Sequence, residues 1–134
     1  MRLVLVAAAA LIDESQNVLI AQRPAGKAMA GLWEFPGGKV EPGETPEAAL
    51  VRELAEEQAR HVAEEDLEPF TFASHTYPDF HLLMPLYLCR RWQGAPQLVD
   101  AAAVKFVPVD ALTSFAMPEA DAPLVEQIHT AFCR

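Results

Sequence analysis

Between residues 37 and 60 the chain reads GGKVEPGETPEAALVRELAEEQAR. Thr45 is a good N-cap and Pro46 suits the first helical position, so a helix is predicted from there to about Arg60. At about 100° per residue, Glu53, Glu56 and Glu57 fall within roughly 100° of arc on one face. Ala48, Val51, Leu54 and Ala55 take the opposite, buried face. Two like charges about 4 Å apart repel by ~1 kcal/mol in water and ~4 kcal/mol at an effective dielectric of about 20. Three gathered carboxylates are therefore unfavourable alone, and a hard divalent cation, which takes oxygen ligands, removes the conflict. A solvated acidic face is the alternative. Arg52 stands four residues before Glu56, and Glu44 lies just ahead of the helix. An arginine–glutamate pair there would brace the loop against the helix. Gly37, Gly38 and Gly43 permit turns that bring peptide groups close to a ligand.

The flanking elements must hold this segment. Residues 3–12 and 18–23 read as apolar strands joined by the polar turn 13–17, that is, as a hairpin. The run Leu3 to Ile12 also has the look of a short signal peptide, but its charged flank is weak and a buried strand is the preferred reading. Residues 24–31 read as a loop, and 32–35 as a short strand closed by Pro36-Gly37-Gly38. Strands are predicted over 69–77, 81–90 and 104–109, with a turn at 92–96. A helical turn is expected at 110–115 and a last helix over 121–132, with Asp121 as its candidate N-cap. Strands, helix, strands, helix, with hairpins rather than βαβ repeats, indicate an α+β or mixed-sheet fold.

A chain of 134 residues fits one domain, 1–134. Lys plus Arg number 10 against 19 Asp plus Glu, a formal charge of -9, which argues against a coat for DNA or RNA polymers. A small anion bridged by a metal remains open. Cys89 and Cys133 make no disulfide framework and fit free thiols in a reducing cytoplasm. The histidines at 61, 75, 81 and 129 show no zinc spacing. No apolar run reaches the ~20 residues of a membrane span.

Gly38, Glu44, Arg52, Glu53, Leu54, Glu56 and Glu57 stand in the pattern Gly-x5-Glu-x7-Arg-Glu-U-x-Glu-Glu, with U bulky and aliphatic. This resembles the Nudix box. The box continues with x-Gly-U, whereas this chain has Gln58-Ala59-Arg60, so a differently turned helix exit is expected. The segments at 21–24, 31–36, 77–81, 91–94 and 117–121 look like the MutT branch of the family, so the resemblance covers nearly the whole chain. It implies a Nudix fold, a mixed β-sheet between α-helices in an α/β/α sandwich. It also implies an enzyme that converts nucleoside triphosphates to monophosphate and pyrophosphate, with oxidised purines such as 8-oxo-dGTP as typical substrates.

Position by position, the resemblance implies that Glu53, Glu56, Glu57 and the Gly38 carbonyl hold Mg²⁺, with Mn²⁺ as a substitute. Glu53 or Glu56 would orient or deprotonate the attacking water, while Arg52 and Glu44 act as scaffolding. Asp100 follows Trp92 where relatives carry a further glutamate near the metal; a solvated loop aspartate is the alternative. Arg23 is a candidate phosphate contact, because guanidinium forks match phosphate geometry. Phe35 can offer its ring to a purine, and Tyr77, Leu83 and Met117 are candidates for the same pocket or for plain core. Asp121 falls where MutT carries an asparagine that reads the base; it either recognises the base or caps the last helix. The expected partner is a small nucleotide, with no nucleic acid polymer and no membrane, for a cytoplasmic monomer or homodimer. Competing readings are a CTP or modified-dCTP pyrophosphohydrolase and a non-catalytic nucleotide-sensing module, the latter disfavoured by the three box glutamates.

Overall fold

The computed structural model describes residues 1–26, 28–94 and 103–132. Asp100 and Cys133 lie outside them. The apolar run at the N-terminus forms β1 (Leu3–Leu11), a strand paired on both sides. On one side it runs antiparallel to β4 (Gly37–Lys39), with Ala7 opposite Gly38 and Ala8 opposite Gly37. On the other it runs parallel to β6 (His81–Cys89), which pairs antiparallel with β5 (Leu67–Thr76). A second sheet places β2 (Asn17–Gln22) between β3 (Trp33–Glu34) and β7 (Ala103–Pro108), all antiparallel.

The period-2 alternation of β1 divides the core into two layers. Ala7, Ala9 and Leu11 pack in one cluster with Leu50 and Leu54 of α1 (Pro46–Gln58). Ala8, Ala10 and Ile12 pack in another with Leu124, Val125 and Ile128 of α2 (Ala122–Phe132). A strand buried on both faces is an unbroken apolar run, which is why β1 reads that way. Among the described residues no helix is long and apolar enough to cross a membrane.

Four expectations are corrected. The first two strands do not form a hairpin ladder; they meet at the Ile12–Val18 bridge and then part into different sheets. Each is apolar on both faces, so each takes two other neighbours, and Asp13 turns the chain by accepting from the Ser15 and Asn17 N–H groups at 3.0 and 2.9 Å. Gly37–Gly38 does not merely close a turn but is strand β4. Helix α1 ends at Gln58 rather than Arg60. Its buried stripe is Ala49, Leu50, Leu54 and Gln58, turned from the face predicted, because residues 50 and 54 meet the odd face of β1.

Candidate functional site

Helix α1 starts as its sequence requires: the Thr45 hydroxyl accepts from the Ala48 N–H at 3.1 Å, and Pro46 occupies the first turn. It stops by an alanine doing the work of the expected glycine. Ala59 adopts a left-handed φ of 50°, and the Arg60 N–H bonds back to the Leu54 carbonyl at 3.1 Å.

The helix lies against β4, and the fit needs both glycines. A Cβ on Gly37 would run into the Ala7 carbonyl of β1. A Cβ on Gly38 would meet the Glu53 carboxylate, 2.6 Å from Oε1 and 2.7 Å from Oε2. Glu53 therefore occupies the space a side chain at residue 38 would take.

Arg52 is the cation among the clustered acids. Its Nε and an Nη donate to the two oxygens of Glu44 at 2.8 and 2.9 Å. Its other Nη donates to Glu53 at 2.9 Å and stands 3.6 Å from Glu56. It also donates to the Lys39 carbonyl at 3.2 Å, tying α1 to β4. The Glu44 carboxyl is held down at about 2, first by the Arg52 hydrogen bonds and then by the Glu41 N–H it accepts. Glu53 is mostly covered, while Glu56 is 62% exposed. Among the described residues no three His, Cys, Asp or Glu side chains converge tightly enough to hold a metal ion by themselves. The like-charge conflict read from the helix is met here by a guanidinium.

A cavity of about 340 Å³ opens beside this helix end. Its walls include Gly37, Gly38 and Glu57, then Arg23, Glu34 and Phe35, and Asp121. The structure thus brings Gly38, Glu57, Arg23, Phe35 and Asp121 to one cavity, with Glu53 seated against Gly38. Arg23 is aimed by its neighbours: Nε donates to the Ala28 carbonyl at 2.7 Å, and one Nη reaches both Glu34 oxygens at 3.2 Å.

Asp121 is only 4% exposed. Burial pushes its carboxyl up to about 7, the negative charge of Glu34 adds to this, and the Phe35 N–H that it accepts opposes it. Burial also raises Glu34, against the pull of Arg23. Asp121 ends a 3₁₀ turn, Glu119–Asp121, that runs directly into α2. Its carboxyl bonds to Phe35 on the far side of the cavity wall, so the cap expectation gives way to a cavity position.

Tyr77 does not line the cavity. Its hydroxyl oxygen accepts from the Ala120 N–H, and His75 beside it stands 3.2 Å from Glu119, so both brace, at the end of β5 and just past it, the turn that carries Asp121. Met117 packs in the α2-side core, and Met84 rather than Leu83 faces the cavity. In a strand, one residue of register changes the face. Sequence reasoning missed Glu34 and Gln58. Glu34 had a signal, a carboxylate within one short strand of a candidate phosphate-binding arginine. Gln58 interrupts an apolar stripe only once α1 is rotated to its observed face.

The fold and the cavity define an α+β enzyme with an acidic helix set against a glycine strand. The NUDIX domain family model matches residues 7–127, and the chain belongs to this family of hydrolases. The chain is 33% identical over 116 residues to the 8-oxo-dGTP diphosphatase of Escherichia coli K12, covering 87% of this chain and 88% of that one. It is 36% identical over 128 residues to the CTP pyrophosphohydrolase of the same organism, covering 88% and 86%. A solved structure from work on MutT of Aliivibrio salmonicida and Vibrio cholerae superposes with a TM-score of 0.83 at 31% identity, covering 98% of this chain and 100% of that one. The Nudix fold and the MutT likeness expected from the box are thereby established.

Proposed function

We propose that this chain hydrolyses (deoxy)nucleoside triphosphates to monophosphate and pyrophosphate with Mg²⁺, and that it prefers oxidised purines such as 8-oxo-dGTP. The observation that carries the guanine assignment is Asp121, a buried carboxyl at the cavity whose proton is held to about pH 7; the preference for the oxidised base rests on the likeness to the 8-oxo-dGTP diphosphatase. A protonated carboxyl donates from one oxygen and accepts at the other, as the asparagine of the MutT branch does. It therefore matches a guanine edge, donating to O6 and accepting from N1–H. Phe35, 4% exposed and bonded to Asp121 through its backbone, supplies the adjoining apolar wall.

The donor set fits a hard cation. Every candidate ligand is an oxygen: the carboxylates of Glu53, Glu56, Glu57 and Asp100, and the carbonyl of Gly38, whose missing Cβ leaves the room that Glu53 fills. Bound there, Mg²⁺ or Mn²⁺ would neutralise phosphate charge and acidify a water. The chain's own residues do the rest. Glu53 or Glu56 orients the water and takes its proton. Arg23, steered by Glu34, binds a phosphate oxygen. Arg52, forked onto Glu44, fixes the helix that presents the carboxylates. On this reading one domain, 1–134, works in the cytoplasm as a monomer or homodimer.

A second reading, action on CTP or a modified dCTP, is supported by the likeness to the E. coli CTP pyrophosphohydrolase. Asp121 also suits it, since its ionised form accepts from the cytosine amino group. Pyrophosphate release with Mg²⁺ over normal and oxidised triphosphates separates the two. The highest kcat/KM is expected on 8-oxo-dGTP; a maximum on CTP would keep the phosphate chemistry and discard the base assignment. Glu53→Gln should lower kcat by about 10²-fold or more. No turnover on any nucleotide, or a fully active Glu53→Gln, sinks the proposal.

A further inference from the structure

Leu50, Leu54 and Gln58 form one i, i+4 stripe on the buried side of α1. The first two are apolar and packed on β1. The third is an amide, as buried as they are at 2% exposure, and its Oε1 accepts no hydrogen bond. An apolar side chain would suit this position better, because a buried acceptor without a donor carries its desolvation penalty uncompensated. Such a group in a folded protein asks for an explanation.

Gln58 also lines the cavity, together with Glu57, Gly37 and Gly38. The missing partner must be a donor. A phosphate oxygen only accepts, so phosphate itself does not satisfy Oε1. A water bound to a divalent cation does, because its O–H groups are polarised by the metal, and Mg²⁺ keeps several waters when it binds protein. The last torsion of a glutamine is soft, so the amide can turn to such a water without moving the helix.

We propose that Gln58 is a positioning residue whose amide oxygen accepts a hydrogen bond from a water carried by the divalent cation. This rests on the reading that Glu53, Glu56, Glu57 and Gly38 hold that cation. Groups in this outer position orient the inner ligands, and their removal typically weakens metal binding 10- to 100-fold.

The test is Mn²⁺ binding, followed by electron paramagnetic resonance on the full chain without nucleotide, for wild type and Gln58→Met. Methionine keeps the length and removes the acceptor. Its dissociation constant for Mn²⁺ should rise about tenfold, with a metal-free Tm equal to or above wild type, since the orphan acceptor is gone. A constant within about twofold of wild type would overturn the inference and leave the cation reading standing. Absence of Mn²⁺ binding by the wild type would remove both. Should Gln58→Met lose its metal-free fold, Gln58→Glu decides: it keeps an acceptor and should bind Mn²⁺ at least as tightly as wild type, and weaker binding refutes the role.

Discussion

Replacing Asp121 by Asn removes a titrating group and keeps an oxygen for the Phe35 N–H. The carboxyl moves from 3.8 to about 7 on folding. About three units at 1.36 kcal/mol each is at most roughly 4 kcal/mol. Its sign follows from proton counting. The folded chain keeps the Asp121 proton through the window where the unfolded chain has released it. Stability from this group is therefore complete below about pH 4 and is lost as pH rises towards 7. Asp121→Asn lacks this loss. The variant should match wild type near pH 4 and exceed it at pH 8, by a margin approaching that ceiling. Glu34, also raised by burial, titrates in both proteins and contributes a shared slope. Urea unfolding at intervals from pH 4 to 8 measures the difference. Parallel curves for the two proteins would refute the burial and coupling assigned to Asp121. The same variant tests recognition: with a fixed donor and acceptor, its preference for 8-oxo-dGTP over CTP should stop changing with pH between 6 and 8.

Two further substitutions probe the helix and its shelf. Gly38→Ala would place a Cβ 2.6 Å from a Glu53 oxygen. The carboxylate must move, so kcat should fall about 10²-fold, the scale of a 1 Å misplacement. Its Tm should change little, because the displaced group is a side-chain end; an unchanged kcat in steady-state assays contradicts the role of that contact. Ala59→Gly relieves a left-handed alanine at φ 50°. The relief of ~1–2 kcal/mol, less the added freedom of the unfolded chain, leaves a gain of ~0.5–1 kcal/mol. Thermal unfolding should show a higher Tm; a lower one means Ala59 is not strained.

The parts of this molecule governed by local chemistry were legible in its sequence. Thr45 and Pro46 announce α1, and the 3.6-residue period gathers the glutamates whatever the helix packs on. Strand positions followed from apolar runs except at β4, whose Gly-Gly-Lys carries none. Their partners did not, because β1 and β2 are apolar on both faces and nothing in such a run says which neighbour it takes. The β1–β6 pairing joins residues far apart in the chain and leaves no local trace. The same limit hid the cavity's acid pair. Glu34 and Asp121 meet only after both sheets are assembled, and Asp121 alone looks like a helix cap. Tyr77 stayed open between pocket and core for a related reason: an aromatic residue at a strand end serves a pocket or the packing behind it, and only tertiary structure decides.

The two ends of the cavity are built on different scales of the chain. Gly38, Arg52 and Glu53 lie within one short stretch, and the contacts that seat them close small loops. Asp121 reaches Phe35 only through the C-terminal turn, which His75 at the end of β5 and Tyr77 just past it hold. A turn held by so few contacts can open locally while the rest of the domain stays intact. On the proposed reading, the end of the cavity that faces the phosphates does not depend on that turn. On the same reading, discrimination among bases depends on the end that the turn holds. A molecule opened at this turn would then lose its selectivity while Gly38, Arg52 and Glu53 keep their places.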